Sequence, residues 1–174
     1  MTGKVSNGTH SGDLRYFLLP VPSDGSVVGG SPDGDPLTKQ AVADQYSNSS
    51  EALKALQNLG FKDGATRRYQ TGDAMYHVYV RLLHFGSTDG AKAWALGDDP
   101  QPDGKAKTFS VPGYPDVKAY EIPLDPAMGE SRLTAVGSRG DVFFEIDLFG
   151  QPPVDHAVLI DRVRKQITRL DTGS

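Results

Sequence analysis

The run Asp141–Phe149 constrains this chain most. Val142, Phe144, Ile146 and Leu148 alternate with Asp141, Phe143, Glu145, Asp147 and Phe149. A period of two puts the two sets on opposite faces of a β-strand. One set is wholly apolar. The other mixes acids with aromatic rings, so the strand has a core face and an amphipathic face, as in a sheet covered on one side only. Ser138–Arg139–Gly140 makes the turn before it, and Leu133–Gly137 is a strand candidate ahead of that turn.

The same period governs Ala65–Gln70 and Ala74–Phe85, which form a predicted hairpin across Thr71–Gly72–Asp73. In its second strand Tyr76, Val78, Val80 and Leu82 share one face, and His77, Tyr79 and Arg81 the other. Thr108–Val111 and Val117–Ile122 are two further strand candidates. Leu14–Val21 is apolar, but Pro20 and Pro22 limit it to a short edge strand or an extended segment on the core.

Helices are expected between these runs. Asp35–Pro36 suits a helix start reaching about Tyr46, since Asp caps free N–H groups and Pro fits the first turn. Asn48, Ser49 and Ser50 re-cap a second helix with Leu53, Leu56 and Leu59 on one face, stopped by Gly60. Ser87 caps a third, carrying Ala91, Ala93, Trp94 and Leu96. A polar loop follows over Asp98–Lys107. After Gly150–Gln151–Pro152–Pro153 a last helix spans about Val154–Leu170, with Ile160, Val163, Ile167 and Leu170 in one apolar stripe. Helices separated by hairpins favour an α+β fold, an antiparallel β-sheet packed with helices, over a βαβ repeat.

A length of 174 residues suits one domain, here 14–174. Met1–Asp13 has no apolar side chain to bury beyond Val5, and is expected to be a flexible leader, either a tether or a vector remnant. It lacks the apolar core of a signal peptide.

Composition excludes several functions. The net charge of −4 and the short basic clusters Arg67–Arg68 and Arg162–Arg164–Lys165 offer no face dense enough for nucleic acid. With no cysteine there is no thiol catalysis, thiolate metal site or disulfide. The four histidines make no close pair: His10 lies in the leader, His77 and His84 point to opposite faces of one strand, and His156 opens the last helix. No G-x-S-x-G, phosphate loop or EF-hand spacing is present, and the acids at Asp33–Gly34–Asp35 and Asp98–Asp99 read as turn chemistry. The expectation is a chain with no cofactor, no metal and no catalytic residue.

Two groups stay open as sites. Glu145 and Asp147 project together, about 7 Å apart by strand geometry. They either form an acid–base or cation-binding pair, or are paired across strands to Arg81 or His77. Tyr79, Phe143 and Phe149 share their face. This aromatic–acidic surface of Tyr79, Arg81, Phe143, Glu145, Asp147 and Phe149 is either a groove for a ligand or partner, or a second small core under the N-terminal segment.

Several patterns occur in a fixed order: "LLP" at Leu18–Pro20, "LGF" at Leu59–Phe61, "RRY" at Arg67–Tyr69, "HF" before an alanine-rich helix, "DVFFEIDLFG" at Asp141–Gly150 and "KQITRL" at Lys165–Leu170. In these the chain resembles the extracytoplasmic domains of actinobacterial lipoproteins. The resemblance covers most of the chain from Asp13 on and rests on structural patterns. It implies a Mog1/PsbP-like α/β/α sandwich, and kinship with an envelope-stress lipoprotein that restrains sigma-factor signalling. It further implies a signal peptide and lipidated cysteine ahead of residue 1, so that the membrane is met only through that anchor. The function expected is a non-enzymatic regulatory module that binds an envelope protein. The alternative is a small-molecule or lipid carrier with a pocket between sheet and helices.

Overall fold

The computed structural model describes residues 1–98, 106–123 and 129–173. In chain order these form β1 (Gly3–Ser6), β2 (Thr9–Gly12), a 3-10 turn (Leu14–Phe17), β3 (Ser26–Val27), β4 (Asp35–Leu37), α1 (Lys39–Ala43) and α2 (Ser49–Asn58). Then follow β5 (Phe61–Gln70), β6 (Tyr76–Phe85), α3 (Thr88–Gly97), β7 (Lys107–Phe109), β8 (Lys118–Pro123), β9 (Ser131–Arg139), β10 (Val142–Gly150) and α4 (His156–Thr172). The fold is α+β. An antiparallel sheet runs in the order β3-β5-β6-β10-β9-β8-β7, with β4 also on β5, and β1–β2 form a separate hairpin. The loop expected over Asp98–Lys107 lies mostly outside the described residues, and so does Asp99.

Local chemistry sets most boundaries. The Asn48 carboxamide oxygen accepts from the Glu51 amide and starts α2, and the Ser87 hydroxyl oxygen accepts from the Gly90 amide and starts α3. Gly60 takes φ +77° just past α2, a conformation only glycine adopts without strain. Asp35–Pro36 starts no helix. Asp35 instead pairs with Thr66 and Pro36 with Ala65, on a short edge strand where a missing N–H costs nothing. The helix begins later, where the Thr38 hydroxyl oxygen accepts from the Ala41 amide, and it ends at Ala43 rather than near Tyr46. Leu14–Val21 opens with the 3-10 turn and becomes extended at Leu18, with no strand.

Helices cover both faces of the sheet, which corrects the expectation of a one-sided sheet. On one face Val80, Ile146 and Leu148 pack under Leu159, Val163 and Ile167 of α4 together with Phe17 and Leu18. The Gln166 side chain pins that segment to α4, donating to the Phe17 carbonyl at 2.8 Å and accepting from the Leu19 amide at 3.2 Å. On the other face Leu83, Phe85, Val136 and Phe143 meet Val42 of α1, Leu56 of α2 and Trp94 of α3. A second core therefore exists, but it lies under α1–α3. The N-terminal segment packs on the opposite face.

Residues 1–13, expected as a leader, form a hairpin that packs on the domain. β1 and β2 pair over Gly3–Gly12, and His10 is buried. His10 Nδ1 lies 2.7 Å from Asp141 Oδ1, and Nε2 lies 2.7 Å from the Leu170 carbonyl oxygen. The Asp141 amide donates to the Gly8 carbonyl at 3.1 Å. These polar contacts hold the hairpin together with Val5, packed on the core, and the edge-on contact of the His10 and Phe17 rings at 5.0 Å.

Candidate functional site

The register of the sheet builds the site. β6 and β10 are central neighbours, and Glu145 sits directly opposite Arg81, Asp147 opposite Tyr79 and Phe149 opposite His77. On the far side of β10, Phe149 faces Arg132 and Asp147 faces Thr134. One sheet face thus carries Glu145 and Asp147 on β10, with Arg81 and Arg132 on the two strands that flank it.

The inner half of this face is closed. Arg81 is buried, and its guanidinium lies 2.7 Å from Glu145 Oε2. It also donates to Gln45 Oε1 at 2.6 Å and to the Tyr46 hydroxyl at 3.0 Å, and Asp98 Oδ2 is 3.6 Å away. The same guanidinium lies over the Tyr46 and Phe143 rings, at 5.6 and 5.8 Å. Arg132 bridges the two acids, donating to Glu145 Oε1 at 3.1 Å and to both Asp147 oxygens at 2.9 and 3.0 Å. The pairing alternative therefore describes both carboxylates, but Asp147 pairs with Arg132 and not with His77.

Three carboxylates here share two guanidiniums. Burial, and then the Glu145 charge, push Asp147 up to about 7, against the pull of Arg132. Burial also raises Asp98, opposed by Arg81 and reinforced by Glu145. For Arg81 burial disfavours the charge, but Glu145, Tyr46 and Asp98 outweigh it and hold the proton more firmly than usual. Burial raises the Tyr46 phenol.

The outer half of the face is open. Beyond Gln45 at the end of α1 the helices stop, leaving a groove of about 580 Å³ whose lining includes Arg68, His77, Tyr79, Arg132, Asp147 and Phe149. Arg68 is exposed and lies 5.2 Å over the half-buried Tyr79 ring, while Arg132 lies 5.9 Å over the half-buried Phe149 ring. Of the six residues expected to form a site, Tyr79, Asp147 and Phe149 line this groove. Arg81, Phe143 and Glu145 are packed beneath α1–α3 and form its buried support. Arg68, Arg132, Gln45, Tyr46 and Asp98 were not foreseen. Arg68 stands opposite Tyr79 because the turn spans residues 71–75, longer than the expected Thr71–Gly72–Asp73, which would have set Arg68 opposite Tyr76; the others depend on long-range packing. Among the described residues no three of His, Asp and Glu converge as a metal site.

No protein-family model matches the chain, and no curated protein matches it. Among solved structures it is similar to the extracellular domain of PknH from Mycobacterium tuberculosis, with a TM-score of 0.52 and 13% identity over 84% of this chain and 81% of that one. At this identity the likeness is one of fold. Among the described residues no helix is long and apolar enough to cross a membrane.

Proposed function

We propose that this chain is a non-enzymatic, extracytoplasmic binding module that engages a partner protein of the cell envelope through the sheet-face groove, and that it regulates signalling as part of a lipid-anchored protein. The observation that carries the reading is the open groove itself, in which Arg68 and Arg132 lie over Tyr79 and Phe149. Arginine and aromatic residues with a rigid, desolvated support are the usual anchors of a protein interface. The buried Arg81–Glu145–Arg132–Asp147 network supplies that support from below. The fold shared with an extracellular domain favours the extracytoplasmic placement. The anchor and the Mog1/PsbP-like kinship rest on the sequence resemblance.

A carrier would need an enclosed apolar chamber between sheet and helices. Val80, Ile146 and Leu148 fill one interlayer space and Leu83, Phe85 and Phe143 the other, which favours a partner surface over a carrier. The test is a photo-crosslinking residue at Tyr79 of the tagged domain in intact source cells, with a second probe at exposed Lys54 as reference. One envelope protein should be captured from position 79 and not from position 54. Its purified form should bind at least about tenfold more weakly to Arg68→Glu, the loss of roughly one interface anchor. Equal capture from both positions, or unchanged affinity of that variant, refutes the reading.

A further inference from the structure

On the opposite face of the molecule, α4 and the Leu18–Pro22 segment border a second groove, of about 500 Å³. Its floor is apolar, made by Leu19, Pro20, Pro22 and the ring of Tyr69. Its rim is cationic, with Arg162, Arg164, Lys165 and Arg169 on successive turns of α4. In a chain of net charge −4 this is a local reversal of sign.

The rim charges are incompletely answered. Asp161 pairs with Arg162 and with Lys165, each at 2.8 Å. Arg164 meets the Pro112 carbonyl at 3.5 Å, and Arg169 donates to the Tyr16 carbonyl. Behind the segment, buried Arg67 donates to the Leu18 and Leu19 carbonyls. Burial and then the repulsion of Arg169 lower the pKa of Arg67, with Asp33 opposing. Five cations therefore meet one directly paired carboxylate among the described residues.

A second, independent observation lies in the floor. Tyr69 is 1% exposed, yet its hydroxyl has no hydrogen-bond partner. The Arg162 guanidinium is close enough to act on it electrostatically but is not placed to bond well, and Arg162 Nε is itself unpartnered. A buried polar atom without a partner is destabilising, so a group that supplies an acceptor there is bound in preference to one that does not.

We infer that this groove binds a single anionic amphiphile, its phosphate or carboxylate head held by the α4 cations at the Tyr69 hydroxyl and its apolar body laid over Leu19, Pro20 and Pro22. The head offers the acceptor that Tyr69 and Arg162 lack and the negative charge that Arg164 and Arg169 lack. The apolar floor adds the contact that a free inorganic anion cannot use. This is an open surface groove, unlike a carrier's interlayer chamber, and it does not depend on the sheet-face groove.

The test is calorimetric titration of the domain with octyl phosphate below its micelle concentration, beside inorganic phosphate and octyl glucoside. Octyl phosphate should bind saturably at one per chain and at least tenfold more tightly than either comparison. Arg164→Glu with Lys165→Glu, both at solvent-facing positions, should weaken it at least tenfold. Tyr69→Phe, which keeps the ring in the core, should weaken it about threefold or more. No saturable binding, equal binding of inorganic phosphate, insensitivity to both variants, or binding only to anionic vesicles would each overturn the inference. Circular dichroism of each variant establishes that a loss is not unfolding.

Discussion

Replacing Asp147 by Asn tests the electrostatics of the buried cluster. The variant keeps the volume and one oxygen acceptor for Arg132, but cannot ionise. Asp147 titrates near 7 in the fold against 3.8 in an exposed chain. Between those values the native state keeps a proton that the unfolded chain has given up. The stabilisation is thus fully present below about pH 4 and is lost as pH rises through 7. A gap of about 3 units at ~1.4 kcal/mol each sets an upper bound of about 4 kcal/mol. Arg132 is 22% exposed at its side chain and partly solvated, which reduces its pull on the acid. Urea denaturation from pH 4 to 8 measures the effect. The stability of Asp147→Asn relative to the natural chain should rise with pH, by about 2–4 kcal/mol over that range. Parallel curves, or a difference that shrinks as pH rises, would refute the reasoning.

Arg81→Met should destabilise by about 3–5 kcal/mol, because it leaves Glu145, beside Asp147, with only the shared and partly exposed Arg132 as counter-charge. Adding Glu145→Leu should recover part of the loss in a denaturation cycle, and strict additivity would count against direct coupling. Gly140→Ala should cost about 1–3 kcal/mol, because residue 140 sits at φ +58° and a Cβ there collides with the Gly8 carbonyl. Hydrogen exchange should show the amides of His10 and Asp141 losing protection first, as the β1–β2 hairpin lifts off.

Local rules made much of this fold legible. Strict alternation assigned Val142, Phe144, Ile146 and Leu148 to one face and Phe143, Glu145 and Asp147 to the other, and the same holds for Val78 and Val80 against Tyr79 and Arg81. Asn48, Ser87 and Gly60 mark helix ends because their chemistry acts within a few residues. Asp35–Pro36 misled for the same reason: its local preference for a helix start yields to ladder pairing with Thr66 and Ala65, which are distant in sequence.

The candidate site was only half legible. That Tyr79, Glu145, Asp147 and Phe149 share amphipathic faces follows from period alone. That Arg81 meets Glu145, and that Arg132 ties Glu145 to Asp147, follows from a strand order in which β6 and β10 become neighbours. His10 shows the same limit: nothing in Thr9–Gly12 marks a buried residue until Asp141 and the end of α4 are brought beside it. The sequence by itself therefore determined which side chains share a strand face and where α2 and α3 begin, since these depend on neighbours two to four residues apart. Only the tertiary structure decided which charges pair, which face α1–α3 cover and where that cover stops short of Tyr79 and Phe149, since those outcomes depend on long-range register and on how far short helices reach.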